Sequence, residues 1–133
     1  MNKSGVILVS VIVFFIIIIV VIGNNKKINN STSDTQGVEN SIIKDGVQYI
    51  TIKAGGGYSP KISNAKAGIP TKLIVKTNGT FDCSSSLVIR ALGFQKILPQ
   101  TGDTEIDIGT PKTGEPLQGV CGMGMYNFLI NFN

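Results

Sequence analysis

Cys83 and Cys121, together with Met123 and Met125, are the side chains of this 133-residue chain whose types and spacing suggest chemistry. Three of those sulfurs lie in one short stretch, Val120-Cys121-Gly122-Met123-Gly124-Met125-Tyr126. Gly122 and Gly124 remove side-chain bulk between each sulfur and the next. In an extended segment, residues 121, 123 and 125 face one side. In a loop loosened by glycine they curl around one point. Either arrangement gathers three sulfurs, and an adjacent Cys83 adds a fourth. Thiolates and thioethers are soft donors, and soft donors select Cu(I). The opposing reading is a disulfide, which in an oxidising compartment would close a loop of about 39 residues and contribute roughly 4 kcal/mol in the chain-entropy model. Met123 and Met125 would then be core residues on an alternating strand. That reading leaves the Gly-x-Gly frame around both methionines unexplained, so a metal site is preferred. The two states can also share one site, oxidised when empty and reduced when loaded.

The chain contains no histidine. This excludes hydrolases with a His base, His-ligated zinc, haem on a proximal His and blue-copper centres, which use two His and one Cys. Without imidazole, a sulfur-only site favours Cu(I) and is poor at redox cycling, so copper itself is the expected cargo. Thioethers are weak zinc ligands. No acid/base pair or nucleophile–base pair stands out, so an enzyme is not expected, nor is a small-molecule substrate. Lys and Arg outnumber Asp and Glu by 12 to 8. The lysines are scattered and not interleaved with aromatics, so nucleic-acid binding is not expected either.

The elements that must position the sulfurs read as strands. Residues 47–52, 71–76, 87–89, 94–98, 104–108 and 126–132 are short apolar or alternating runs separated by Gly, Pro and Asn. No stretch beyond residue 42 has helical periodicity with caps. The pattern predicts an all-β sandwich or small barrel over 42–133. Ahead of it, residues 6–22 are apolar apart from Ser10. As a helix this run spans roughly 26–28 Å, enough for a membrane core, and it exceeds the apolar stretch of a signal peptide. Residues 1–23 are therefore expected to form a retained single-pass transmembrane anchor, with the following domain on the extracytoplasmic side. Residues 24–41 are polar and are expected to form a flexible tether with a reach of about 20–25 Å.

Several pieces in sequence order carry a resemblance: Tyr58-Ser59-Pro60, Lys66-Ala67-Gly68-Ile69-Pro70, Gly79-Thr80-Phe81-Asp82-Cys83, Leu87-Val88-Ile89, Gln95-Lys96-Ile97-Leu98-Pro99 and Cys121-Gly122-Met123-Gly124-Met125-Tyr126. Together they resemble the cupredoxin-like domains of bacterial copper homeostasis. With its N-terminal apolar segment, the chain is similar to the membrane-anchored Cu(I) chaperones of that family. The resemblance implies a Greek-key β-sandwich with copper at one end. Cys83 would stand on the loop where blue-copper proteins carry a His, and Cys121, Met123 and Met125 on the C-terminal ligand loop. It further implies one or two Cu(I) ions, the tighter held by the thiolates and the weaker by the thioethers with a carboxylate. The strand before Gly55 offers no Glu, which leaves Asp45 and Asp82 as substitutes. The implied partner is a copper-exporting P-type ATPase. Phe81, Phe94 and Tyr126 are read as core packing in preference to shields over the sulfurs, and Tyr58 as a packing residue.

Overall fold

The computed structural model of the protein describes residues 37–133. The expected anchor and most of the expected tether lie outside these residues. Eleven strands form in chain order: β1 (Val38–Glu39), β2 (Ser41–Lys44), β3 (Val47–Ala54), β4 (Tyr58–Ser59), β5 (Ile62–Ala65), β6 (Thr71–Thr77), β7 (Ser86–Ile89), β8 (Phe94–Ile97), β9 (Gly102–Gly109), β10 (Leu117–Cys121) and β11 (Asn127–Phe132). Two single-turn 3-10 helices, Cys83–Ser85 and Arg90–Leu92, flank β7, and no α-helix occurs among the described residues. Within them, no helix is long and apolar enough to cross a membrane.

The strands make two mixed sheets. One runs β1-β5-β11-β10-β7-β8, and the other runs β2-β3-β6-β9 with β4 paired to β3. Period-two alternation explains the layering, because successive side chains of a strand point to opposite faces. β3 buries Ile50, Ile52 and Ala54 and exposes Lys53. β6 lies parallel to it with Ile50 beside Leu73 and Ile52 beside Val75. From the facing sheet come Leu87, Ile89, Leu117, Phe128, Ile130 and Phe132, which close a single core. Fully burying a side chain of this size contributes about 1.5–3 kcal/mol.

One polar side chain belongs to that interior. Gln48 is completely buried, and its amide donates to Lys66 O and Thr71 Oγ1 at 3.0 Å each while its oxygen accepts from Lys66 N at 2.9 Å. A buried amide left unpaired would be costly, so these bonds fix the 66–70 turn to the start of β3.

Among the described residues, strand structure extends ahead of the boundary read at residue 42. β1 joins one sheet beside Ser63, and β2 joins the other beside β3. Asn40 sits at the crossover and donates from Nδ2 to Thr51 O at 2.6 Å. The polar composition of the 24–41 stretch places residues 38–41 in the tether. Their strand structure comes from pairing partners distant in the chain.

Candidate metal centre

At one end of the sandwich three connections converge: the 55–57 loop after β3, the turn that opens at Cys83, and the 122–125 turn between β10 and β11. Asp82 caps the Cys83 turn. Its Oδ1 accepts from Ser84 N at 2.7 Å and from Ser84 Oγ at 2.5 Å. Its Oδ2 accepts from Gly56 N at 2.7 Å, which ties the Cys83 turn to the glycine loop. Gly56 at φ +64 and Gly57 at φ +126 adopt backbone that L side chains rarely take. Below this lies Tyr58, whose hydroxyl donates to Ser84 O at 3.0 Å and whose ring meets Phe128 edge-on at 5.2 Å.

Cys121 ends β10 opposite Leu87 of β7, which brings it to the Cys83 turn. It is 1% exposed, whereas Cys83 is partly exposed. The two cysteines are joined as a disulfide, with a Cα–Cα separation of 5.8 Å. The turn that follows is closed on Cys121 from both sides. Cys121 N donates to Tyr126 O at 2.9 Å, and Gly124 N donates to Cys121 O at 2.8 Å. Tyr126 N donates to Cys121 Sγ at 3.3 Å.

The two glycines of this turn have separate causes. Gly122 N donates to Ser86 O at 2.8 Å, and a Cβ at Gly122 would stand 2.6 Å from Ser86 Oγ. Gly124 is left-handed, at φ +72. The segment is thus a turn and not a continued strand, so Cys121 points inward while Met123 and Met125 are 72% and 62% exposed. This overturns the core-residue reading of the methionines. They do not face the same way: Met123 borders a groove with Val88, Arg90 and Val120, and Met125 borders another with Gly56, Tyr58 and Lys61. The structure therefore joins Cys83 and Cys121 and places both thioethers on the turn beside them, directed to separate grooves.

Neither substitute carboxylate is placed to act as a ligand. Asp45 sits in the β2–β3 turn at φ +52, at the far end of the eight-residue β3, roughly 25 Å along the strand from the sulfurs. Asp82 is close, but both its oxygens hold the turn together. The hydroxyl of Ser84 and the amides of Gly56 and Ser84 keep its carboxyl below the ordinary carboxylate value. Among the described residues, no three His, Cys, Asp or Glu side chains gather into a metal-binding group. Reduction of the disulfide would leave two thiol sulfurs at this end, with the two thioethers on the adjoining turn directed to separate grooves.

The aromatic expectations divide. Phe94 and Tyr126 pack against the core, and Tyr58 is buried in it. Phe81 does not pack: it is 75% exposed, two residues ahead of Cys83. The capping role of Asp82 and the Tyr126 N–H on sulfur escaped the sequence reading. The Asp-Cys-Ser order was a usable signal, since Asp readily accepts from a backbone amide two residues on.

A family model for the cupredoxin-like domain matches residues 12–130, and the chain belongs to that family. Among solved structures, it is similar to a copper binding protein determined in the apo form by NMR, with 23% identity and a TM-score of 0.65 over 74% of this chain and 98% of that one. It is also similar to the metal binding domain of the Streptococcus pneumoniae D39 Cu(I) exporting P-type ATPase CopA, crystallised with Cu(I). There the identity is 22% and the TM-score 0.64, over 74% of this chain and 97% of that domain. At these identities the likeness is one of fold. No curated protein matches the chain.

Proposed function

We propose that this protein is a Cu(I)-binding chaperone and not an enzyme. In this reading it is anchored in the membrane through residues 1–23, carries its domain on the extracytoplasmic side, and passes copper to a copper-exporting P-type ATPase. The observation that carries the reading is the meeting of Cys83 and Cys121 at one end of a cupredoxin-like sandwich, beside the exposed turn that holds Met123 and Met125. The copper-binding proteins of similar fold add support.

Copper is the cargo. The reduced cysteines supply two thiolates, and loading releases their protons, so affinity rises with pH. The thioethers carry no proton and sit on the exposed turn beside the cysteines. They are suited to receive or release Cu(I) by ligand exchange, one sulfur arriving before another leaves. One or two ions are accommodated, according to whether the thioethers hold copper apart from the thiolates. A membrane partner would benefit from the higher local concentration that tethering gives.

The disulfide itself favours a second reading, an extracytoplasmic interaction module stapled by Cys83–Cys121 and binding no metal. Anaerobic Cu(I) titration of the reduced full-length protein in detergent, against a competing chelator, separates the two. Cys83→Ser and Cys121→Ser should each lower tight affinity by about a hundredfold or more, as the loss of one of two principal soft ligands implies. Met123→Ile with Met125→Ile should remove mainly a weaker component. If wild type retains no Cu(I) against the chelator, or both Cys variants match it, the copper reading fails and the stapled module stands.

A further inference from the structure

The two residues of the disulfide differ in exposure, which bears on the sulfur a reductant meets first. Cys121 is 1% exposed and lies behind the closed 122–125 turn, while Cys83 opens a short 3-10 turn and is partly exposed. Tyr126 N donates to Cys121 Sγ at 3.3 Å. Thiol–disulfide exchange depends both on access to the attacked sulfur and on how well the departing sulfur carries negative charge.

We propose that Cys83–Cys121 is a thiol–disulfide exchange site for a dithiol protein, with Cys83 the sulfur attacked and Cys121 the sulfur that leaves. A thiolate of the dithiol attacks Cys83 Sγ. An intermolecular S–S bond forms as the Cys83–Cys121 bond breaks, and the electron pair departs on Cys121 Sγ, where the Tyr126 N–H meets it. The second thiolate of the dithiol then attacks its own half of the mixed disulfide and releases Cys83 as a thiolate. The two thiolates of the domain take up the two protons given up by the dithiol. Two electrons have passed from the dithiol, now a disulfide, to the domain, now a pair of thiols. The purpose of the step rests on the copper reading, because only the reduced pair offers thiolates to Cu(I). The chemistry of the step does not.

The test contains no copper, so its failure and that of the copper reading are separable. Oxidised full-length protein in detergent is incubated with a thioredoxin-type dithiol protein whose resolving cysteine is replaced by serine, and the trapped adduct is mapped after trypsin. Lys76 and Arg90 bracket Cys83, and Lys112 precedes Cys121, so the two sites fall in different peptides. The expected result is adduct at Cys83 in about tenfold or greater excess over Cys121, since exchange requires access to the attacked sulfur. Adduct at Cys121, an even division between the two, no adduct at all, or free thiols at both positions in the air-exposed starting protein would each overturn the proposal.

Discussion

The phenol of Tyr58 is buried below the Cys83 turn with its hydroxyl on Ser84 O. Burial, and then the charge of Asp82, push its pKa from 10.0 up to about 12. The neutral form is therefore favoured in the folded protein. Its contribution to stability is complete below pH 10 and is lost as pH rises from 10 through about 12. Tyr58→Phe should cost about 1 kcal/mol at neutral pH, since Ser84 O loses a donor. It should also flatten the fall in stability between pH 10 and 12, as read by urea unfolding across that range. If the variant falls as steeply as wild type, Tyr58 is not the titrating group. At this scale the placing of Cys83, Cys121, Met123 and Met125 at one end of the fold was legible, because three of the four share one short stretch. The direction of a side chain was not legible. Met123, Met125 and Phe81 point outward because of a four-residue turn and a capped 3-10 turn, which periodicity does not encode.

Strands long enough to alternate were the readable ones. β3, β6 and β9 show period two in their own residues, and β7, β8 and β11 follow the short apolar runs seen in the sequence. The short β1, β2 and β4 were missed, and so were β5 and β10. β5 is Ile-Ser-Asn-Ala and exists through its parallel pairing with β11. β10 carries a glycine at its centre, which weakens any strand signal. The cause of that glycine is across the ladder: Gly119 pairs with Phe128, and the Phe128 ring fills the space a Cβ would need. Gly119→Ala should therefore destabilise the domain by about 1–3 kcal/mol through overpacking. If the copper reading holds, the same variant should also weaken Cu(I) retention, because Cys121 lies two residues further along β10. A shift in denaturation midpoint below about 0.5 kcal/mol, the range of ordinary surface changes, would show that Phe128 relaxes freely.

For the whole molecule, Cys83 and Cys121 are bridged as a disulfide, and on the copper reading Cu(I) bridges the same pair once it is reduced. The disulfide constrains the unfolded chain across a sequence separation of 38, and its reduction should lower stability by about 4 kcal/mol in the chain-entropy model. If the copper reading holds, Cu(I) added to the reduced protein restores stability in proportion to RT ln(1 + [L]/Kd), and the denaturation midpoint climbs with free copper. Cys83→Ser should show neither the loss on reduction nor the recovery with copper. A reduced protein whose midpoint ignores Cu(I) would argue for the metal-free module. Cooperative response of the whole domain is expected, because Cys121 belongs to the core that both sheets share.

A bond between Cys83 and Cys121 also bears on how any metal-to-protein ratio is counted. On the copper reading, a sample only partly oxidised divides into chains able to accept an ion and chains that are not, and the two have the same mass to within two hydrogens. Ratios expressed per polypeptide would then come out fractional and vary between preparations, imitating partial occupancy or a shared ion between neighbours. Normalising to titrated free sulfhydryl instead of protein concentration removes that artefact.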